Sequence, residues 1–246
     1  MSPAPDAARG SKVAVVAHAR KSLGGGLGEL REVLGQEGVT DPIWYEVSKS
    51  RKAPKQARRA LSEGAGLIFV WGGDGMVQHC ADALAGTDAV LAVLPAGTAN
   101  LLATNLEIPE RLTEAVRIGL HGGRRRLDTG MVNGGQASLV LAGNVGRVLG
   151  GIRAFSDAEP DDGLLDLGVV TAANPVEWVR ALGQVALGEA GESPFVQLTR
   201  GKQFEIRFDR EQPYELDGGA RRAVRDLSIE VCPASISVCV PERGAG

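Results

Sequence analysis

Apolar residues in the first half of the chain come in short unbroken runs. Each run ends in a polar or glycine-rich turn, after which apolar residues recur at three- and four-residue spacing. Runs at 12–19, 42–47, 67–71 and 89–94 are short and rich in β-branched residues, which predicts strands buried on both faces. The spacing between them predicts helices at 27–34, at 54–63 with Ala57, Ala60 and Leu61 on one face, after Gly75 through Met76, Val77, Cys80, Ala83 and Leu84, and at 112–120. Strictly alternating strand and helix predict a parallel, doubly wound sheet. The texture changes at 124–128. Beyond it the pattern reads as strands at 127–132, 136–142, 164–171, 196–199, 203–208, 214–216, 227–232 and 236–240, interrupted by one helix at 175–187. The expected organisation is an α/β domain over 1–128, a β-rich, antiparallel sandwich-like domain over 129–240, a tail at 241–246, and a cleft between the two domains.

Composition narrows the function classes. A formal net charge of −3 argues against a general nucleic-acid binder. No run of eighteen apolar residues occurs, so no transmembrane helix is expected. Residues 1–12 lack an apolar core and read as a tail rather than a secretory signal. Cys80, Cys232 and Cys239 lack metal-ligand spacing and sit in apolar patterns, as buried thiols of a reducing cytoplasm would. The 34 glycines are about twice the usual share and imply many tight turns.

The candidate chemistry lies where two of the buried runs end. One closes in Gly72-Gly73-Asp74-Gly75, the next in Pro95-Ala96-Gly97-Thr98-Ala99-Asn100. Glycine at a strand's carboxyl end lets the main chain approach a phosphate closely, and the following helix adds a favourable dipole. Asp74 would repel phosphate, and fits there by holding Mg²⁺ or by taking a proton from an attacking hydroxyl. Thr98 and Asn100 are equally compatible with an Asx turn and a helix cap. The loop of Ser22 and Gly24 to Gly26 is a third candidate at the same sheet edge. Together the three loops predict a nucleotide site. Walker, dinucleotide, protein-kinase and hydrolase-triad signatures are absent.

Two acidic turns stand out in the second half. Asp161-Asp162-Gly163-Leu164-Leu165-Asp166 suits Mg²⁺ or Ca²⁺, or is a solvated turn before a strand. Leu216-Asp217-Gly218 is an ordinary hairpin pair, or a carboxylate held at a strand end. The basic run Lys49, Arg51, Lys52, Lys55, Arg58 and Arg59 reads first as a solvated helix face, and second as a neutraliser of a nucleotide or of an anionic membrane surface.

In this order the pieces resemble the diacylglycerol kinase catalytic-domain family, which includes sphingosine kinases and soluble bacterial lipid kinases. Gly72 to Gly75 are similar to its G-G-D-G-T, 95–100 to its P-x-G-T-x-N, 143–146 with Gly150 and Gly151 to its G-N…G-G, 161–166 to its D-D-G-L-L-D, and Asp217-Gly218 to its D-G-E. The resemblance implies a cytoplasmic, ATP-dependent kinase that phosphorylates a hydroxyl of a lipid such as diacylglycerol at a membrane surface. It implies peripheral membrane contact, no nucleic-acid partner, and room for a homodimer. Gly72, Gly73, Asp74, Gly75, Gly97, Thr98, Asn100 and Ser22 would hold ATP. Asp162 and the Leu164 carbonyl would bind a structural Mg²⁺. Asp217 would be the general base, with Asp74 serving a Mg²⁺–water network, and the final residues would return to the first domain. The chain departs from the family pattern at Met76 for Thr, at Gly219 for the acid of D-G-E, and at His18-Ala19 for Asn-Pro. It also lacks a segment where Gly135-Gln136-Ala137-Ser138 leads straight into the next strand. That segment would build one wall of the acceptor pocket, so a nucleotide-binding paralogue without kinase activity is the alternative expectation. An NAD kinase is a third.

Overall fold

The computed structural model describes residues 12–133, 140–143, 155, 158–170, 175–186, 193–216 and 219–242. They divide into two compact units, Met1–Leu127 with Ser235–Gly246, and Asp128–Ala234.

The first unit is a parallel sheet wound with helices. Its elements run β1 (Lys12–His18), α1 (Gly26–Gln36), β2 (Ile43–Val47), a 3₁₀ turn (Ser50–Lys52), α2 (Ala53–Ser62), β3 (Ala65–Gly72), α3 (Asp74–Leu84), β4 (Val90–Pro95), α4 (Leu101–Asn105) and α5 (Leu112–His121). A further strand, β5 (Gly123–Asn133), follows α5, and a last one, β10 (Gly219–Val240), brings the chain end back. The strand order is β2-β1-β3-β4-β10-β5, with β1, β2, β3 and β4 parallel and Ser237 and Val238 of β10 running parallel to β4. Ala14 to Ala17, Leu67 to Trp71 and Val90 to Leu94 are buried on both faces, as helices on both sides of the sheet require. α5 lies so close to the sheet that a Cβ at Gly119 would land in the Phe69 ring. Arg124 then closes this helix, donating to the carbonyls of Gly122 (2.9 Å) and Gly119 (3.1 Å).

The second unit holds an antiparallel sheet of β6 (Val140–Gly143), β7 (Leu165–Val170) and β8 (Val196–Gly201). It also holds α6 (Pro175–Ala186), and an antiparallel pairing of β9 (Gln203–Leu216) with β10. Leu165 packs with Leu227, Ile229 and Val231 under Phe204, Ile206 and Phe208, while Ala181 of α6 meets Val196. The α/β class with a parallel sheet and a separate antiparallel one is the class read from the sequence pattern.

Several boundaries differ from the pattern. β9 and β10 are each continuous where the sequence suggests two strands apiece. Irregular register around Val224 and a left-handed Ala234 (φ 47°) let β10 continue through positions that read as breaks. β5 starts at Gly123, ahead of the expected 127, and the five-residue α4 has no counterpart in the apolar pattern. Cys80 and Cys239 are buried, which pushes both thiols up to about 12, whereas Cys232 is half-buried. The shortened junction at 134–138 and the 144–151 motif lie outside the described residues.

Gly119→Ala should destabilise the protein by about 1–3 kcal/mol, because a methyl group there must displace a core aromatic ring. Urea unfolding with an unchanged m-value checks this.

Candidate active site

In a sheet of order β2-β1-β3-β4 the chain leaves β1 toward one edge and returns on the other side of it. The loops after β1 and β3 therefore part, and a crevice opens at their carboxyl ends. The structure has a pocket of about 260 Å³ there. It is lined by His18 and Lys21 after β1, Ser50 after β2, Gly73, Asp74, Gly75 and Met76 after β3, and Gly97, Thr98 and Ala99 after β4.

Two glycine turns form its floor by touching main chain to main chain. A Cβ on Gly97 would overlap the Gly73 Cα, and one on Gly73 would stand 3.0 Å from the Gly97 Cα. Gly73 has an extended backbone (φ −94°, ψ −170°) that any residue adopts, so close approach alone demands glycine there. The turns are also cross-linked. Asp74 Oδ1 accepts the Leu101 N–H at 2.6 Å, joining the first turn of α3 to the start of α4. Asn100, buried and left-handed (φ 48°), folds the second turn around itself. Its Oδ1 accepts the Gly97 N–H at 2.9 Å, and its Nδ2 donates to the carbonyls of Gly97 (3.1 Å) and Pro95 (3.3 Å).

The Asp74 and Gly75 N–H groups precede the first bonds of α3, which run from the Met76 (2.8 Å) and Val77 (3.2 Å) N–H groups to the Gly73 carbonyl. The helix dipole adds positive potential. Lys21 supplies a full charge, and its main chain is pinned because its carbonyl accepts the buried Trp71 Nε1–H at 3.0 Å. His18 is nearly buried. Burial, reinforced by the charges of Arg20 and Lys21, holds its imidazole below the ordinary value, and Nδ1 accepts the Arg20 N–H at 3.3 Å. The pocket thus combines backbone donors, a lysine, a hydroxyl or two and one carboxylate, which is a donor set for a phosphate chain carrying a cation.

Of the residues singled out in the sequence, Gly73, Asp74, Gly75, Gly97 and Thr98 line the pocket. Gly72 faces Met76 instead, whose Cγ stands 2.5 Å from where a Cβ would be; Met76 is buried there. Asn100 is committed to its own turn and to the Glu110 carboxylate, which accepts from Nδ2 at 3.3 Å. Ser22 is exposed and outside the lining. In its loop the Gly25 N–H is already bonded to the Glu29 carboxylate, which fills the anion position at the head of α1. Lys21, Ser50 and His18 carry no motif; only their places at the ends of β1 and β2 mark them.

In the second unit, Asp162 accepts the Leu164 N–H through Oδ1 at 2.9 Å and pairs with Arg200 through Oδ2. Arg200 Nε also reaches Asp166 at 3.1 Å. Asp128, unremarked in the sequence, is buried. It braces the same turn by accepting from Gly163 N–H (2.5 Å) and Ala234 N–H (2.6 Å) while its own N–H donates to Pro160 (2.7 Å). A guanidinium thus already neutralises Asp162, and among the described residues no three His, Cys, Asp or Glu side chains group to hold a metal. As arranged, these residues do not fit a structural Mg²⁺. Asp217 lies outside the described residues.

Comparison with known proteins agrees with the architecture. Residues 18–132 match the family model for the diacylglycerol kinase catalytic domain. The chain is 33% identical over 95 residues to "Probable lipid kinase YegS" of Salmonella dublin, covering 37% of this chain and 31% of that protein. It is 32% identical over 105 residues to the protein of the same name from Escherichia coli O17:K52:H18, covering 41% and 35%. The chain thus spans about a third of the length of the curated relatives it matches. In fold it is similar to a diacylglycerol kinase structure from Bacillus anthracis, with a TM-score of 0.76 at 20% identity over 93% of this chain and 96% of that one.

Gly97→Ala should cost about 1–3 kcal/mol by forcing the turns apart. Gly75→Ala, whose Cβ would meet only Ser50 at 3.9 Å, should be neutral or stabilising by up to about 1 kcal/mol in urea unfolding. Millimolar Mg²⁺ should leave the melting temperature unchanged, and Arg200→Ala should lower stability by about 1–2 kcal/mol. A Mg²⁺-dependent rise in wild type that Asp162→Ala removes would show instead that the turn takes a cation.

Proposed function

We propose, on the premise that this chain belongs to the diacylglycerol kinase catalytic domain family through residues 18–132, that it transfers the γ-phosphoryl group of MgATP to a lipid hydroxyl such as that of diacylglycerol. The observation that carries this reading is the pair of glycine turns meeting at the carboxyl ends of β3 and β4, beside Lys21 and Asp74. Phosphoryl transfer asks little covalent chemistry of the protein and much positioning and charge neutralisation. The turns offer main-chain donors without side chains in the way, and Lys21 offsets phosphate charge. Asp74 has one oxygen bound to Leu101, and its other oxygen has no protein partner among the described residues, so it remains for the cation that accompanies ATP.

On this reading the acceptor hydroxyl forms the new O–P bond as the bond from the γ-phosphorus to the bridging oxygen breaks, and ADP leaves. Asp217 receives the hydroxyl proton. Its assignment rests on the sequence resemblance, since a carboxylate stands where the family has D-G-E. The protein would work in the cytoplasm and meet its lipid at the membrane surface.

The test pairs calorimetry with turnover. Lys21→Ala should weaken ATP binding about tenfold or more, the loss of one charge-assisted contact. Asp217→Asn should leave ATP affinity intact and lower phosphorylation of lipid acceptors in mixed micelles by roughly 10²–10⁴-fold. Equal turnover by wild type and Asp217→Asn overturns the base assignment. ATP binding with no acceptor phosphorylated overturns the kinase reading in favour of a nucleotide-binding paralogue.

A further inference from the structure

The residues between β2 and β3 carry six cations, Lys49, Arg51, Lys52, Lys55, Arg58 and Arg59, and from 47 to 62 no carboxylate, in a chain whose net charge is negative. The fold sorts them onto one side. Ala53, Ala57 and Ala60 bury the inner face of α2 against α3, while Lys49, Arg51, Lys52, Lys55 and Arg58 stand exposed. Only Arg59 is used internally, paired with Glu63 at 3.0 Å and set over the Tyr45 ring. The other five make no ion pair with any described residue.

Nothing among the described residues accounts for this arrangement. Like charges three and four residues apart on a helix repel one another. Cations around the first turn oppose the helix dipole, and α2 has no acidic residue there to compensate. Nor is this part of the nucleotide pocket, to which the segment contributes Ser50 alone. From residue 51 to 58 the row runs about 10 Å, too long for one small anion and suited to an extended anionic surface. Single-stranded nucleic acid would call for free aromatic rings beside the row. Instead Trp44 is covered by Arg31 at 3.6 Å and Tyr45 by Arg59.

We propose that this exposed face of the 3₁₀ turn and α2 docks the protein onto an anionic lipid bilayer. The choice of a bilayer rests on the lipid-kinase reading; the existence of an unpartnered cationic face does not. Because Ser50 belongs both to the pocket lining and to the start of the row, a bilayer seated on it would lie beside the phosphate end of the pocket.

The experiment is co-sedimentation with vesicles of phosphatidylcholine alone or mixed with phosphatidylglycerol, at low and high salt. Wild type should bind only the mixed vesicles and should be released by salt. Lys52→Glu/Lys55→Glu/Arg58→Glu, and the milder triple change to Gln, should weaken that binding by about 100-fold or more. Circular dichroism and ATP affinity should not change in either variant. Equal vesicle binding by wild type and the triple variants overturns the assignment of this face. Preference for duplex DNA over anionic vesicles overturns the choice of a bilayer. Anionic-vesicle binding lost in the variants, in a protein that phosphorylates no lipid, sustains the docking face while the kinase reading falls.

Discussion

The contact of Gly73 with Gly97 is the constraint on which the rest of the pocket depends. Two parallel strands end side by side, and their outgoing turns approach until one Cα nearly touches the other turn's main chain. No side chain fits between them, and everything nearby follows from that spacing. Asp74 can reach across to Leu101 only because the turns are in contact. Asn100 must fold back on its own turn, in a left-handed conformation, to satisfy the main chain it compresses. The result is a pocket floor fixed by hydrogen bonds within the chain.

Charge is distributed in layers around that floor. Nearest the pocket are one lysine, one carboxylate and an imidazole that burial and neighbouring cations hold below its ordinary value. Away from the pocket, the row on the 3₁₀ turn and α2 gathers exposed cations of which, among the described residues, only Arg59 is paired with an acid. In the second unit the opposite choice was made. Arg200 lies between Asp162 and Asp166, and the acidic turn is neutralised from within the chain.

The parallel half of the fold was legible because each of its strands is buried on both faces. That environment writes an unbroken apolar run, and few other structures do. The antiparallel half was less so. β9 and β10 each looked like two strands, since the pattern lapses where register slips near Val224 and where Pro233 and Ala234 interrupt the run, yet the strand resumes beyond each irregularity. α4 was invisible because five residues cannot establish a helical period. In the site, glycines and Asp74 could be read as a turn motif. Lys21, Ser50 and Asp128 could not, because each is placed by neighbours distant in sequence: Trp71 for Lys21, the β3 and β4 turns that share the pocket with Ser50, and Gly163 and Ala234 for Asp128.

The α/β class, the succession of buried strands along the chain and the two glycine turns that end β3 and β4 were all readable from the residues alone, because these depend on local spacing and on residues adjacent in the chain. Which members of those turns face the pocket was settled by folding. Gly72 and Met76 turn to each other, Asn100 turns inward, and the Ser22 loop has its anion position filled by Glu29. Likewise, spacing offered Asp162 to a metal, and the fold gave it to Arg200, since two strands apart in sequence lie side by side in the sheet. Whether a polar side chain is available to a ligand depends on what else lies within about 3 Å of it, and that is a property of the folded neighbourhood rather than of the chain.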